Sequence, residues 1–168
     1  VPPGKTVTYN SGNVGSTPAV TYDSAAADSN TYVRYGSGSW NSLTANADIK
    51  LVGGVYNSDI EPVGTATTCD KSGDWNWGEP FRPGAVAGCY GYWPIVYVSG
   101  SMTINGNGYG QGILLVNGDL KINGTFDYYG LIVVRDDVDK GTGTANIHGA
   151  LYAANAIFDD PLSWINGN

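Results

Sequence analysis

Several residue types that would point to common protein classes are scarce in this chain. Only 14% of the residues are charged, and 8 Lys and Arg against 15 Asp and Glu leave a net charge of −7. Because nucleic acids and anionic membranes both require basic surfaces, this deficit disfavours them as partners. No apolar run approaches the ~20 residues of a membrane span, so we expect no membrane insertion. The chain begins at Val1 rather than Met, which we interpret as a processed or shortened chain.

Metal-binding side chains are also few. The 2 cysteines, Cys69 and Cys89, form no CxxC pair, and His148 is the single histidine. Zinc sites need clusters that this chain lacks, so we expect neither a metal nor a cofactor. We predict instead a Cys69–Cys89 disulfide, which implies an oxidising compartment and an extracellular or cell-surface location. Closing this loop is worth roughly 3 kcal/mol in the chain-entropy model.

Residues that favour helices are scarce, with one Met and few Lys, whereas Gly (25) and Tyr (12) are frequent. This composition predicts a mainly β chain with many tight turns. Residues 95–106, 113–124 and 131–138 can be superimposed with an offset of 18, and a degraded copy starts 19 residues later at Ala150. A period near 20 residues indicates stacked coils. We therefore predict a short single-stranded parallel β-helix, or β-solenoid.

The repeat also predicts which side chains fill the coils. Stacking at this offset should form vertical ladders of Met102, Leu120 and Val138, and of Ile104 and Ile122. The outward members of the apolar runs would be Val96, Leu114 and Ile132, covered by the N-terminal segment, a short helix or a neighbouring molecule. The expected coil core comprises Ile95, Tyr97, Ile104, Ile113, Leu115, Leu120, Ile122, Leu131, Val133 and Val138. Three Asn-Gly turns, at 105–106, 117–118 and 123–124, should supply positive φ where the chain changes direction.

We expect one domain overall. Residues 1–56 read as an N-terminal β segment or arm, with strand candidates at 6–9, 19–22 and 31–35 and a helical turn or loop at 24–30. Within it, residues 48–56 form a clearer strand that could be an early coil. Residues 57–94 form a disulfide-bonded aromatic loop, residues 95–160 the coils and residues 161–168 a tail.

The pattern of the coils resembles a known family. Residues 110–126 read G-x-G-I-L-L-V-x-G-x-L and end in an aromatic residue, followed by G-L-I-x-V at 130–134 and I-x-G-A-L at 147–151. This resembles the C-terminal region of PilX-type pilus assembly proteins and, more loosely, the short coils of bactofilins, which polymerise end to end through β-helix caps. The similarity covers about residues 95–155. It implies a surface or filament context and no catalytic residues.

A short solenoid ends in two open β-edges, and each is a template for another chain. The apolar stretch 153–158 carries no charged cap. Head-to-tail stacking, or donation of a strand by the arm Val1–Val14, would satisfy the edges and build an open filament. Alternatively, residues 1–56 or the tail fold back as a cap.

A second candidate surface is the aromatic loop. Its rings could stack on sugars, form a small satellite core, or form a subunit interface. The residues concerned are Trp75, Trp77, Phe81, Tyr90, Tyr92 and Trp93.

The acidic residues give weaker signals. The run 136–139, with Asp127 and Asp159–Asp160, could bind calcium, but it matches no calcium-loop spacing and reads better as a solvated turn where the repeat gains a residue. Asp119 and Asp127 could form a carboxylate pair of a polysaccharide-cleaving β-helix, but the coils are too few for an extended cleft. No Ser-His-Asp order or phosphate loop occurs. We predict no enzymatic activity.

The sequence thus favours a secreted structural subunit that assembles with copies of itself into an extracellular filament or tube. The alternative is a monomeric adhesive or glycan-binding domain of a surface appendage.

Overall fold

The structure, a computed structural model, describes residues 7–8, 34–35, 38–81, 84–158 and 164–166. The strand candidate at 19–22, the segment 24–30 and the pair Asp159–Asp160 lie outside these residues. Within the described residues, the elements are the short helix α1 (Trp40–Ala45), a 3-10 turn at Ala87–Cys89, and the strands β1 (Val7–Thr8), β2 (Arg34–Tyr35), β3 (Gly38–Ser39), β4 (Ile49–Leu51), β5 (Gly54–Tyr56), β6 (Ile95–Val98), β7 (Met102–Ile104), β8 (Gly108–Val116), β9 (Leu120–Ile122), β10 (Thr125–Val134), β11 (Asp137–Lys140), β12 (Thr144–Tyr152), β13 (Asn155–Phe158) and β14 (Trp164–Asn166).

The strands wind into a parallel β-solenoid, as the repeat predicted. One 6-stranded sheet has the order β1-β13-β11-β9-β7-β5, and the other has the order β14-β12-β10-β8-β6-β4. Every pairing within these two sheets is parallel. The short pair β2–β3 is antiparallel.

The predicted register is confirmed. Ile95 pairs with Ile113 and Ile113 with Leu131, whereas Leu131 pairs with Ala150, so the offset changes from 18 to 19 where the sequence indicated. The two predicted ladders are present, since Met102 pairs with Leu120 and Leu120 with Val138, and Ile104 pairs with Ile122. The coil formed by β4 and β5 precedes β6, which confirms an early coil within residues 48–56.

Each full coil crosses three faces, which we number by their strands. Face 1 comprises residues 108–111, 125–129 and 144–148, the upstream parts of β8, β10 and β12. Face 2 comprises residues 113–116, 131–134 and 150–152 together with β4 and β6. Face 3 is the sheet of short strands from β5 to β13 together with β1.

Faces 1 and 2 meet at a column of glycines with positive φ. Gly112, Gly130 and Gly149 pair with one another across the coils and have φ of 109°, 143° and 151°. A Cβ on Gly130 would lie 2.1 Å from the carbonyl oxygen of Gly112, so both the dihedral angle and the space exclude a side chain.

The prediction for the Asn-Gly turns was wrong, because their glycines do not have positive φ. They are needed for close approach instead: a Cβ on Gly124 would lie 1.9 Å from the carbonyl oxygen of Gly106. The asparagines form a side-chain ladder. Asn123 Nδ2 donates to Asn105 Oδ1 at 2.8 Å, and Asn105 Nδ2 donates to Asn57 Oδ1 at 2.9 Å.

The core confirms part of the predicted interior and corrects the rest. Ile104, Leu120, Ile122 and Val138 belong to the buried cluster, as expected. On face 2 the assignment was inverted. The cluster contains Val96, Leu114 and Ile132, which we expected outside, and it lacks the six residues Ile95, Tyr97, Ile113, Leu115, Leu131 and Val133.

A run of four apolar residues places apolar side chains on both faces of a strand, so the sequence does not show which of them point inward. The short strands alternate apolar and polar residues, as in Met-Thr-Ile and Leu-Lys-Ile, and there the sequence decides which side faces inward.

Part of the cover over face 2 is the short helix α1, one of the covers that the sequence analysis allowed, although its position at Trp40–Ala45 was not predicted. Trp40 packs edge-on against Tyr97 at 6.2 Å between ring centroids, and the guanidinium of Arg135 lies 5.6 Å from the Trp40 ring. Tyr97 shares its column with Leu115 and Val133, which are fully buried although they face away from the core. The signal for α1 was a capping box, since the Ser39 and Ser42 hydroxyls each accept from the other residue's backbone N–H.

Candidate assembly ends and aromatic surface

The two ends of the solenoid differ in what covers them. At the C-terminal end, Val7 and Thr8 of β1 pair with Ala156 and Ile157 of β13 on face 3. On face 1, β14 pairs with residues 146–148 of β12. Segments of both chain termini therefore lie on this end, as in the fold-back alternative. On face 2, no described strand pairs with the outer edge of Ala150 and Leu151.

At the opposite end, β4 and β5 are the outermost strands of their sheets in the described part of the chain. The carbonyl of Leu51 accepts from the N–H of Ser99 at 2.9 Å, so the alternation of a parallel strand directs the backbone groups of Lys50 to the open edge. The Lys50 ammonium donates to the carbonyl of Ala45 at 3.0 Å and so follows the end of α1. The helix α1 packs on the outer surface at Tyr97 and Arg135, so it does not pair with the open edge of β4.

The loop 57–94 is closed by the predicted disulfide. Cys69 and Cys89 are joined with a Cα–Cα distance of 4.6 Å, and Cys89 is fully buried. A turn at 64–69 supports the bridge, since Thr65 N–H donates to the Thr68 carbonyl at 2.8 Å and Gly88 N–H donates to the Thr65 carbonyl at 3.0 Å. The bridge and this turn therefore fix the described part of the loop.

Buried polar side chains hold the loop against the coils. Gln111, fully buried in β8, donates its Nε2 to the carbonyls of Tyr90 and Tyr92 at 2.8 Å each. Asn76, also fully buried, accepts from the N–H of Gly78 at 3.1 Å and donates to the Val63 carbonyl at 3.2 Å. These bonds replace the strand ladder that a regular coil would provide on face 1.

The six aromatic residues of the loop do not form one surface. Trp77 is fully buried in the solenoid core, edge-on to Phe126 at 6.1 Å and to Tyr128 at 6.5 Å. Trp75 is partly buried against that core and Tyr56. The other four range from buried Tyr92 through half-buried Tyr90 to the exposed rings of Phe81 and Trp93.

An aromatic row on the outside of face 1 was missed by the sequence analysis. Phe81 contacts Tyr109 at 5.1 Å and Tyr129 at 5.6 Å, and Tyr129 stacks on His148 at 4.2 Å with nearly parallel rings. His148 therefore lies in a side-chain ladder with Tyr129. Partial burial, followed by the charge of Asp127, raises the pKa of the Tyr129 hydroxyl. Extending the repeat upstream to residue 125 would have aligned Tyr129 with His148.

Next to this row lies an open cleft of about 190 Å³. Its polar lining comprises Asp59, Glu61, Asn107, Tyr109, Thr125 and Asp127. Some of these groups stabilise the turns: Asp59 Oδ1 accepts from the N–H of Asn107 at 2.8 Å, and Asn107 Oδ1 accepts from the N–H of Thr125 at 2.9 Å. The pKa of Tyr109 is raised by burial and then by the carboxylates of Glu79 and Glu61.

The candidate acids are tied into the coils. Asp119 Oδ1 accepts from the N–H of Asp137 at 3.1 Å, and Asp127 Oδ1 accepts from Asn146 Nδ2 at 2.7 Å. Among the described residues, no group of three or more His, Cys, Asp or Glu side chains could hold a metal ion.

The interpretation of the run 136–139 as a lengthened turn was wrong. Residues 137–140 form β11, with Val138 in the core and Asp139 paired with Lys121 at 2.7 Å. The extra residue of the repeat lies in the following turn at 141–143, because β11 pairs with β9 at an offset of 18 and the next strand, β12, pairs with β10 at an offset of 19.

No protein-family model matches this chain, and no curated protein and no solved structure is significantly similar to it. Within the residues that the structure describes, no helix is long and apolar enough to cross a membrane.

Proposed function

We propose that this protein is a secreted structural subunit that stacks head to tail with copies of itself to form an extracellular filament or tube. The observation that carries the proposal is the fit between the two ends of the solenoid. Strands β4 and β5 are unpaired on their outer side among the described residues, and they have the spacing of the strand segments at the opposite end. Two residues separate β4 from β5, and two residues separate β12 from β13.

The side chains at the two ends also match. Ile49 belongs to the column of Val96, Leu114, Ile132 and Leu151, so a second molecule continuing the register would place its Ile49 above Leu151. On face 3, Tyr56 would take the register position above Phe158, at the end of the column that runs through Ile104, Ile122 and Lys140. Apolar residues of face 2 would then continue the core across the junction, and parallel backbone pairing would continue both sheets.

The open backbone of Lys50 completes the junction. In this register its N–H points toward the carbonyl of Leu151 in the next molecule, because residues 49 and 151 share a column. Contacts between unlike ends leave both outer ends open, so the stack does not close and a linear polymer results.

The disulfide is consistent with an oxidising environment such as the cell exterior. The resemblance of residues 95–155 to PilX-type proteins and bactofilins also favours a surface filament.

Electron microscopy and sedimentation of the purified chain test this function. We expect filaments that lengthen with protein concentration. Lys50→Pro removes the outward N–H and should abolish them, whereas Lys50→Ala keeps the backbone donor and should not. Only isolated particles at high concentration, or filaments of Lys50→Pro equal to those of Lys50→Ala, would contradict the proposal.

A second function, glycan binding at the cell surface, is favoured by the cleft on face 1. Asp59, Glu61 and Asn107, whose side chains carry carboxylate or amide groups, line this cleft together with Tyr109. At about 190 Å³ the cleft is smaller than the roughly 300–1,000 Å³ of drug-sized pockets, so it would take a single sugar unit.

Binding of a glycan array to the wild-type chain and to Glu61→Gln tests this second function. A sugar whose signal falls about tenfold or more in Glu61→Gln would support it, because a hydrogen bond to a charged group is worth about that much. The change Asp74→Asn removes an exposed carboxylate outside the cleft lining and serves as the matched control. A blank array would rule out this function, and equal loss in both variants would rule out the cleft as its site.

A further inference from the structure

In the part of the chain that the structure describes, the last coil at the C-terminal end of the solenoid is incomplete. Face 1 at this level is taken by β14 and face 3 by β1, whereas no described strand pairs on face 2 with the outer edge of Ala150 and Leu151. The chain order of a regular coil is face 1, then face 2, then face 3. The coil that begins with β14 is therefore completed on face 3 by a strand from the other end of the sequence.

An incoming molecule needs the position that β1 occupies. Its β4 would fill the gap on face 2, and its β5 follows after two residues on face 3 of the same level. That position is the outer edge of β13, where Val7 and Thr8 are paired. Both strands cannot pair with one edge, so β1 and the incoming β5 compete.

We propose that β1 is a removable cap that holds back head-to-tail assembly until it leaves the edge of β13. The inference rests on the proposed function and adds a control step to it. The surface that β1 uncovers is the edge of residues 155–158, and its partner is the β4–β5 coil of a second copy of this chain.

The lengths of the strands favour displacement. β1 pairs with β13 through two residues, whereas β5 has three and is joined to β4, which gains three more on face 2. The incoming coil therefore offers more ladder pairs and an apolar face, so it should replace β1 once it has begun to dock.

The other arrangement, in which β1 remains as an inserted strand, fits less well. The incoming β5 would then pair above β1, one level higher on face 3, and its β4 would rise with it. The edge of Ala150 and Leu151 on face 2 would then receive no incoming strand, and Lys50 would lose its acceptor. The 25 residues between Thr8 and Arg34 span up to ~85 Å when extended, so the tether allows either arrangement and the pairing decides.

Assembly kinetics of three variants test the cap. Deleting residues 1–8, or introducing Val7→Pro, should shorten the lag of filament formation about tenfold. This is the size expected for losing one or two backbone hydrogen bonds. Pro3→Ala alters the same arm outside β1 and should leave the lag unchanged. A synthetic peptide of residues 1–14, added to the deletion variant, should restore the lag, and a scrambled peptide should not.

The outcomes separate this proposal from the function on which it rests. Filaments that form at the same rate with and without residues 1–8 would overturn the cap and leave self-assembly standing. Filaments that need residues 1–8 would show that β1 is an inserted strand, and would also overturn the cap. Failure of every variant to assemble, including the deletion variant with its edge open, would overturn the proposed function and the cap with it.

Discussion

The coils at residues 95–152 and the loop at residues 57–94 build the same wall by different means. In the coils, equivalent residues pair across successive turns, and side-chain ladders such as Asn105–Asn123 satisfy the turns. The loop has few such pairs and relies on a disulfide and on buried Asn76 and Gln111. The comparison teaches that a repeat can close its core with an irregular insertion, provided that the insertion brings its own polar partners and a large side chain.

Trp77 tests how far the coils depend on the loop, and we expect the largest effect from it. Trp77→Ala leaves a cavity beside Phe126 and Tyr128 and should lower the free energy of unfolding by roughly 3–5 kcal/mol. Trp93→Ala, in the same loop but 53% exposed, should change it by less than about 0.5 kcal/mol. Chemical denaturation measures both free energies of unfolding. A loss for Trp77→Ala as small as that for Trp93→Ala would mean that the loop does not contribute to the common core.

Removing the disulfide separates the two regions further. The double change Cys69→Ser and Cys89→Ser should lower stability by about 3 kcal/mol, because the unfolded loop regains its freedom. Amide exchange should accelerate within residues 57–94 and much less in β8 and β10, whose ladders remain. Uniform acceleration across the chain would contradict the division into two regions.

A matched pair of glycines compares the corner of the coils with the surface of the loop. Gly130→Ala forces a side chain into positive φ and against the Gly112 carbonyl, so it should cost about 1–3 kcal/mol. Gly73→Ala meets no atom within 4 Å and should be close to neutral. Thermal unfolding of the two variants distinguishes them, and an equally stable Gly130→Ala would show that the corner tolerates Cβ.

The smallest expected effect concerns Tyr128, where loop and coil meet. Its hydroxyl is buried without a hydrogen-bond partner among the described residues, and this burial raises its pKa well above the usual 10.0. Tyr128→Phe should therefore stabilise the protein by about 1 kcal/mol at neutral pH, since no buried donor is left unsatisfied.

The raised pKa also fixes the sign of a pH effect. Above pH ~10 the unfolded chain loses the Tyr128 proton while the folded chain keeps it, so stability falls as the pH rises. Tyr128→Phe should lessen that fall in denaturant titrations at pH 8 and pH 11. An unchanged slope would mean that the hydroxyl titrates freely in the folded state.

The sequence predicted the coils well because their information is repeated. Met102, Leu120 and Val138 could be aligned by offset alone, and polar neighbours such as Lys121 fixed which side of a short strand faces inward. The sequence could not predict which residues of face 2 point inward, because Val96 and Tyr97 are both apolar. The residue that covers Tyr97 on the outside, Trp40, lies 57 residues upstream of it. The aromatic loop gave no repeat, so the sequence could not separate the buried Trp77 from the exposed Trp93.

Of the two ends, the sequence indicated only that edges would be left open and that the termini were candidates to cover them. The sequence by itself determined the winding and the strand register, because the repeat fixes which residues pair from one coil to the next. It also determined the disulfide, because the chain has only two cysteines. Only the tertiary structure decided that β1 lies on β13, that β4 and β5 form the opposite edge, and that Trp77 completes the core. Those contacts join residues far apart in the chain, and such pairings depend on which surfaces the folded coils leave unsatisfied.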